Sequence, residues 1–239
     1  MAHRYFTSNI EGDAAFITGP DAAHLARVLR AKPGEVLTLC NGAGTDYTAQ
    51  IQHILPEEIR LSILSAAPSA AEPAVEALVC LGYAKGERME WAIQKAVELG
   101  AARILPFFSA NTVVKPKNEE EKNRRYNRIA QEAAKQSGRG VLPPVELPVS
   151  YAQMLACAAK AQLALFFYEG GGAALSAFLR GQKSIALITG AEGGFTPAEA
   201  EAARRAGCVQ AGLGPRILRC ETAPMAALAA VMALTGNLE

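Results

Sequence analysis

The chain is poor in several features that usually announce a function. It holds five cysteines in 239 residues (Cys40, Cys80, Cys157, Cys208, Cys220), odd in number, widely spaced and without a CxxC pair. A disulfide framework is therefore not expected, and a reducing, cytoplasmic setting is. Its three histidines, His3, His24 and His53, share no metal-ligand spacing with one another or with cysteine, so no metal site is expected. Charged or polar residues interrupt every apolar run before it reaches the length of a membrane span, and the opening MAHRYFTSNIEGD lacks the apolar stretch of a signal peptide. No membrane partner is expected. The formal charge of +1 is too near neutral for a protein that grips nucleic acid through bulk positive charge.

What is there describes a folding chain. Half of the residues are hydrophobic and 20% are charged, and the length allows one or two domains. Residues 1–70 carry five Lys/Arg against seven Asp/Glu, residues 71–140 twelve against nine, and residues 141–239 seven against seven. A polyanion would thus be met best by the middle third. The stretch 65–73, SAAPSAAEP, has no periodicity and is expected to be a linker. Before it, strand-like runs at 14–17, 36–40, 47–54 and 59–64 alternate with turn signals at Lys32-Pro33-Gly34, Asn41-Gly42 and Pro56. One helix is expected over 21–30, with Asp21 as its N-cap. This pattern implies a small β-barrel over 1–70. After the linker, strands at 75–81, 103–108, 163–168, 184–189 and 209–213 alternate with helices at 88–99, 119–137, 197–206 and 222–234. Gly100, Gly138 and Gly207 close the first three of those helices, and Thr196 caps the third. The alternation implies an α/β domain over 71–239 with a mostly parallel sheet covered on both faces. Trp91 is expected in its core.

Two glycine-rich segments follow late strands, Ile188-Thr-Gly-Ala-Glu-Gly-Gly-Phe195 and Gly212-Leu-Gly-Pro-Arg-Ile-Leu-Arg219. In open α/β sheets, ligands bind beyond the carboxyl ends of strands, and glycines there let backbone N–H groups approach. Two such loops could pinch a flat ligand between them. Neither spells GxGxxG, no GxxxxGK[ST] loop occurs, and no acidic residue is evident at the end of a second strand to hold a ribose. Nicotinamide and nucleoside-triphosphate sites are therefore disfavoured. The second segment continues through Cys220-Glu221-Thr222-Ala223, and its two arginines and glutamate make it more polar than a plain connection requires. His24, Arg27 and Arg30 recur at i, i+3 and i+6, which gathers them toward one side of a helix, suited to phosphates.

ITGAEGGF and LGPRILRCETA resemble the two C-terminal motifs of the RsmE-like family of SPOUT methyltransferases. His24-Leu-Ala-Arg-Val-Leu-Arg30 is similar to that family's HxxRVLR pattern, the run from Lys85 to Gly100 to its KGxRME…QKxxELG block, and the run from Gln131 to Arg139 to its EAxxQSxR block. The resemblance runs nearly end to end. Ala191 departs from it where relatives often have proline, which should change loop rigidity more than chemistry. The resemblance implies methylation of N3 of a uridine in small-subunit (16S) ribosomal RNA, with S-adenosylmethionine as cofactor. It also implies a PUA-like RNA-binding β-barrel, a SPOUT α/β domain whose C-terminal trefoil knot is built from the two glycine segments, and a homodimer whose contact includes the Ala-rich last helix. It implies cofactor contacts from Thr189, Gly190, Gly194, Leu213, Gly214, Ile217 and Leu218. Among the polar groups of the loops, Arg219 is expected to orient the uracil carbonyls or stabilise the developing anion, and Glu221 is a candidate base. RNA contacts are expected from Arg4, His24, Arg27, Arg30, Lys85 and Arg139. The alternatives are a related SPOUT enzyme acting on tRNA or on a ribose 2′-hydroxyl, and a non-catalytic RNA-binding assembly factor.

Overall fold

Period-two alternation in the first seventy positions builds one sheet. In the structure, a computed structural model that describes residues 4–55, 57–169 and 171–238, its strands are β1 (Arg4–Phe6), β2 (Ile10–Glu11), β3 (Ala14–Thr18), β4 (Val36–Cys40), β5 (Thr45–Ile54) and β6 (Glu58–Pro68). Their order is β1-β4-β5-β6-β3-β2. Only β1 and β4 run parallel, and among the described residues the edge strands β1 and β2 do not pair with each other, so the sheet is an open half-barrel. Its inward positions, among them Tyr5, Ile17, Leu37, Leu39, Ile51 and Ile59, form a core with Leu25 of the helical segment. The sheet belongs to the first of two compact units, residues 1–72 with 134–142; the second comprises 73–133 and 143–239.

Three expectations for this region change. The supposed linker begins inside β6, where residues 65–68 pair with residues 45–48 of β5; the small side chains of SAAP lie flat on an exposed strand. The helix expected over 21–30 starts earlier, as α1 (Gly19–Ala23), with Thr18 at the N-cap and Pro20 in the first turn, where its missing N–H is no loss. Asp21 lies within that turn and pairs with Lys135 at 3.0 Å. From His24 to Val28 the chain widens into a π-helical turn, and Arg30, beyond its end, takes φ +52°, an unusual backbone for a side chain of that size. Pro56 falls outside the described residues.

The second unit contains β7 (Glu76–Gly82), α2 (Glu87–Glu98), β8 (Arg103–Phe108), most of α3 (Glu119–Ser137), β9 (Val149–Ser150), α4 (Tyr151–Ala158), β10 (Leu163–Phe167), β11 (Ala173–Ala174), β12 (Ser184–Thr189), α5 (Pro197–Arg205), β13 (Val209–Gly212) and α6 (Thr222–Leu234). Seven strands lie in the order β11-β13-β10-β12-β7-β8-β9, every pair parallel. The central strands read as unbroken apolar runs because both faces are covered: all five residues of β10 and the last six of β7 are buried. Helix α4, absent from the sequence reading, begins at a capping box in which Ser150 and Gln153 satisfy each other's backbone N–H groups. Trp91 is not in the core but 44% exposed. The buried stripe of α2 is Met89, Ala92, Ile93, Ala96 and Val97, and position 91 points away from it at helical spacing. Helix α6 buries Met225, Ala227, Leu228, Val231 and Met232 against its own unit, so its alanines first serve close intrachain packing.

Within the first unit, Arg139 is 3% exposed. Its guanidinium forks onto Glu72, Nη2 lying 2.6 Å from Oε2, while the N–H groups of Gly140 and Val141 donate to Glu72 Oε1 at 2.7 and 3.1 Å. Burial pushes the Glu72 carboxyl up, but the Arg139 fork and the two N–H groups outweigh it and hold its pKa below the ordinary value. The stability this ionised group contributes is therefore fully present above the ordinary carboxylate pKa and disappears as pH falls through the depressed native one. Glu72→Gln should destabilise the protein at pH 7 by about 3 kcal/mol in urea unfolding, since it takes a carboxylate away from a buried guanidinium. The gap between variant and parent should narrow in acid. An equal gap at both pH values would count against the ion pair.

Candidate active site

Three parallel strands end level. Phe167, closing β10, lies opposite Thr189 of β12 on one side and Ala211 of β13 on the other. The loops leaving these strands therefore start at one height and close around a cavity of about 400 Å³, a size that takes a small organic ligand. The β10 end contributes Phe167, Tyr168 and Glu169; the β12 loop contributes Thr189 to Glu192, Gly194 and Phe195; the β13 loop contributes Ala211 through Glu221. Arg88 of α2 closes one side. All seven residues expected at a cofactor line this cavity, and so do Arg219 and Glu221.

The cavity has an apolar base. Phe195 packs 4.5 Å from Phe166 and lies parallel to Phe107 at 6.1 Å, centroid to centroid. Above it, Thr189 is 1% exposed, and among the described residues its hydroxyl has no hydrogen-bond partner. A buried hydroxyl without a protein partner beside a cavity has its hydrogen-bonding capacity free for whatever enters, water or ligand. Gly194 and Gly214 take φ +60° and +90°, left-handed backbone that a β-carbon resists. Ile217, an apolar side chain lining the cavity, is 84% exposed.

The β12 loop is braced from two sides. Glu192 accepts from the backbone N–H of Lys85 at 2.9 Å and from Arg88 at 3.0 Å. Burial raises its pKa, but the Lys85 N–H, its own N–H and Arg88 prevail and keep it below the usual range. On the other side, Asn111 Nδ2 donates to the Gly193 carbonyl at 2.7 Å, and Glu199, which also completes the Thr196 capping box, accepts from the Ala110 N–H at 2.7 Å. Gly82, at the end of β7, approaches so closely that a Cβ there would collide with the backbone of Gly190 and Ala191. None of these braces was evident from the sequence.

The remaining acidic groups differ in state. Glu221 is held below the usual carboxylate range, first by its own backbone N–H and further by Cys220 Sγ–H, Arg88 and Arg219, which outweigh burial. A carboxylate so stabilised is a weak proton acceptor. Cys220 is pushed up to about 12 by burial, by its hydrogen bond to Glu221 and by the Glu192 and Glu221 charges, so the thiol stays protonated. Glu169 corrects the sequence reading, which saw no acid at a strand end. It lies two residues beyond the buried run of β10 and, in the sequence, just ahead of Gly170-Gly171-Gly172.

The residues expected to meet RNA divide into two sets. Arg4 is held by Asp46 in two hydrogen bonds of 2.7 Å and also donates to the Arg139 carbonyl, and Arg139 itself is buried on Glu72, so both guanidinia are structural. His24, Arg27 and Arg30 are exposed, as is Lys85 in the second unit.

Comparison with known proteins gives a consistent picture. Residues 71–232 match the RNA methyltransferase domain family and residues 17–64 the RNA methyltransferase PUA domain family. A Bacillus subtilis protein named ribosomal RNA small subunit methyltransferase E is 34% identical over 225 residues, 90% of this chain and 88% of that one. A Neisseria gonorrhoeae protein of the same name, solved bound to S-adenosyl methionine, superposes with a TM-score of 0.87 at 29% identity, covering 98% of both chains. A Legionella pneumophila methyltransferase solved with bound cofactor SAM gives a TM-score of 0.86 at 30% identity, again over 98% of both.

Gly82→Ala should force the β12 loop outward. Overpacking of this kind costs about 1–3 kcal/mol, readable as a lowered thermal midpoint, and the amides of the 190–195 loop should exchange faster with solvent. Unchanged exchange in that loop would remove Gly82 from the site's construction.

Proposed function

The chain belongs to the ribosomal RNA small subunit methyltransferase E family, and from that premise we propose that it transfers a methyl group from S-adenosylmethionine to N3 of a uridine in the RNA of the small ribosomal subunit. One observation carries the reading: three strands ending level bring both glycine loops, Arg219 and the orphan Thr189 hydroxyl around a single cavity. The cavity suits that cofactor, with an apolar base for a purine, glycine backbone for close approach and a buried hydroxyl lacking a partner. Thr189, Gly190, Gly194, Leu213, Gly214, Ile217 and Leu218 would hold it. When bound, it supplies an electrophilic methyl on a sulfonium.

The chain's own residues do the rest. Positioning and exclusion of water account for most of such a rate. Arg219, at the rim, donates to the uracil carbonyls and stabilises the negative charge that develops on the ring as N3–H gives up its proton to solvent, before N3 takes the methyl group. Glu221 orients that arginine in preference to acting as base, because its proton affinity is depressed. His24, Arg27 and Arg30 of the PUA-like unit, with Lys85, position the RNA through its phosphates. The trefoil knot, a homodimer through the outward side of α6 around Ala233 and Leu234, and action in the cytoplasm belong to the same proposal.

Arg219→Ala should leave S-adenosylmethionine affinity within about twofold and lower single-turnover methylation of small-subunit RNA by about a hundredfold or more, as for loss of one oxyanion donor. Glu221→Gln should lower it by less than about tenfold, whereas a true general base would cost about 10²–10⁴. Undiminished turnover in Arg219→Ala would refute its role.

The double variant Arg27→Ala/Arg30→Ala should weaken RNA binding and flatten its log–log salt dependence by about one to two units, without changing cofactor affinity. An unaltered slope in fluorescence anisotropy across a salt series would return this face to plain solvent.

A further inference from the structure

Resting on the cofactor reading above, we propose that Glu169 is a ribose-binding residue, its carboxylate accepting from the vicinal hydroxyls of the cofactor's nucleoside. Three acidic side chains line the cavity, and two are engaged. Glu192 is tied to Lys85 and Arg88, and Glu221 to its own backbone and Cys220. Among the described residues, Glu169 makes no hydrogen bond or ion pair, although its carboxylate stands next to the β12 loop: a β-carbon on Gly194 would lie 3.8–3.9 Å from it. It occupies the carboxyl end of β10, the strand between the two whose loops form the rest of the cavity.

That position favours the nucleoside over the amino-acid part of the ligand. The carboxylate sits against the glycine wall that ends in the aromatic base, where Phe195 and the buried Thr189 hydroxyl would receive a purine. The arginines of the β13 loop, Arg216 and Arg219, supply the opposite charge elsewhere on the rim. A carboxylate has two acceptor oxygens and matches two adjacent hydroxyl donors, and acids at strand ends serve riboses in other open α/β sheets. Being exposed, Glu169 loses little hydration before the ligand arrives.

The test uses the full-length chain and four probes in calorimetry: S-adenosylmethionine, S-adenosylhomocysteine, methylthioadenosine and 2′-deoxymethylthioadenosine. Glu169→Ala should weaken the first three alike, by about ten- to a hundredfold, the range for hydrogen bonds to a charged group. It should also abolish the parent's preference for the ribo- over the 2′-deoxy probe. Glu169→Gln, which keeps one acceptor, should fall between the two. Loss confined to S-adenosylmethionine would mean that the carboxylate faces the sulfonium. Loss for the two amino-acid-bearing probes with methylthioadenosine unchanged would mean that it faces the ammonium. Either result, or no loss at all, overturns the proposal. If the parent protein binds none of the probes, the cofactor reading falls with it. Thermal unfolding of both variants should match the parent, because the side chain supports nothing in the fold.

Discussion

The site depends on the common register of three parallel strands. Phe167 opposite both Thr189 and Ala211 means that the loops of β10, β12 and β13 open at one level. Two of these strands carry the glycine segments and the third carries Glu169. A slip of one residue in either pairing would turn the buried side chains of β10 or β12 to the wrong face, so packing on both sides of the sheet enforces the alignment. The cavity is thus a consequence of core burial, and glycines at 190, 194, 212 and 214 make part of its wall backbone.

Rigidity in the β12 loop comes from neighbours far away in sequence. Lys85 and Arg88 hold Glu192, Asn111 holds the Gly193 carbonyl, and Gly82 admits the loop backbone at a distance no other residue allows. Such bracing suits a reaction in which alignment of donor and acceptor matters more than covalent participation. It also fixes the electrostatics. Glu192 and Glu221 are held ionised and the Cys220 thiol protonated.

Arginines illustrate how poorly residue type alone predicts role. The sequence offers Arg4 and Arg139 alongside Arg27 and Arg30 as candidates for RNA contact. In the fold, the first two close internal ion pairs with Asp46 and Glu72, and the second two stand in solvent. A guanidinium that finds a carboxylate during folding is no longer available to a phosphate, and that outcome depends on a partner 42 or 67 positions away.

The sequence by itself determined the elements and the location of the chemistry. Periodicity and glycine stops placed β8, α3, β12 and α6 at their observed bounds, and the two glycine segments marked the cavity, because local hydrophobic pattern and turn chemistry act over a few residues. Two further features are local enough to be read in the sequence, the off-stripe position of Trp91 in α2 and Glu169 ahead of three glycines. Only the tertiary structure decided which strands are neighbours, that Ser65 to Pro68 extend a strand, that Arg30 leaves the helix, that Arg139 is buried and that the Glu221 carboxyl is held below its ordinary pKa. Each of these depends on contacts between segments distant along the chain, whose energies no local pattern records.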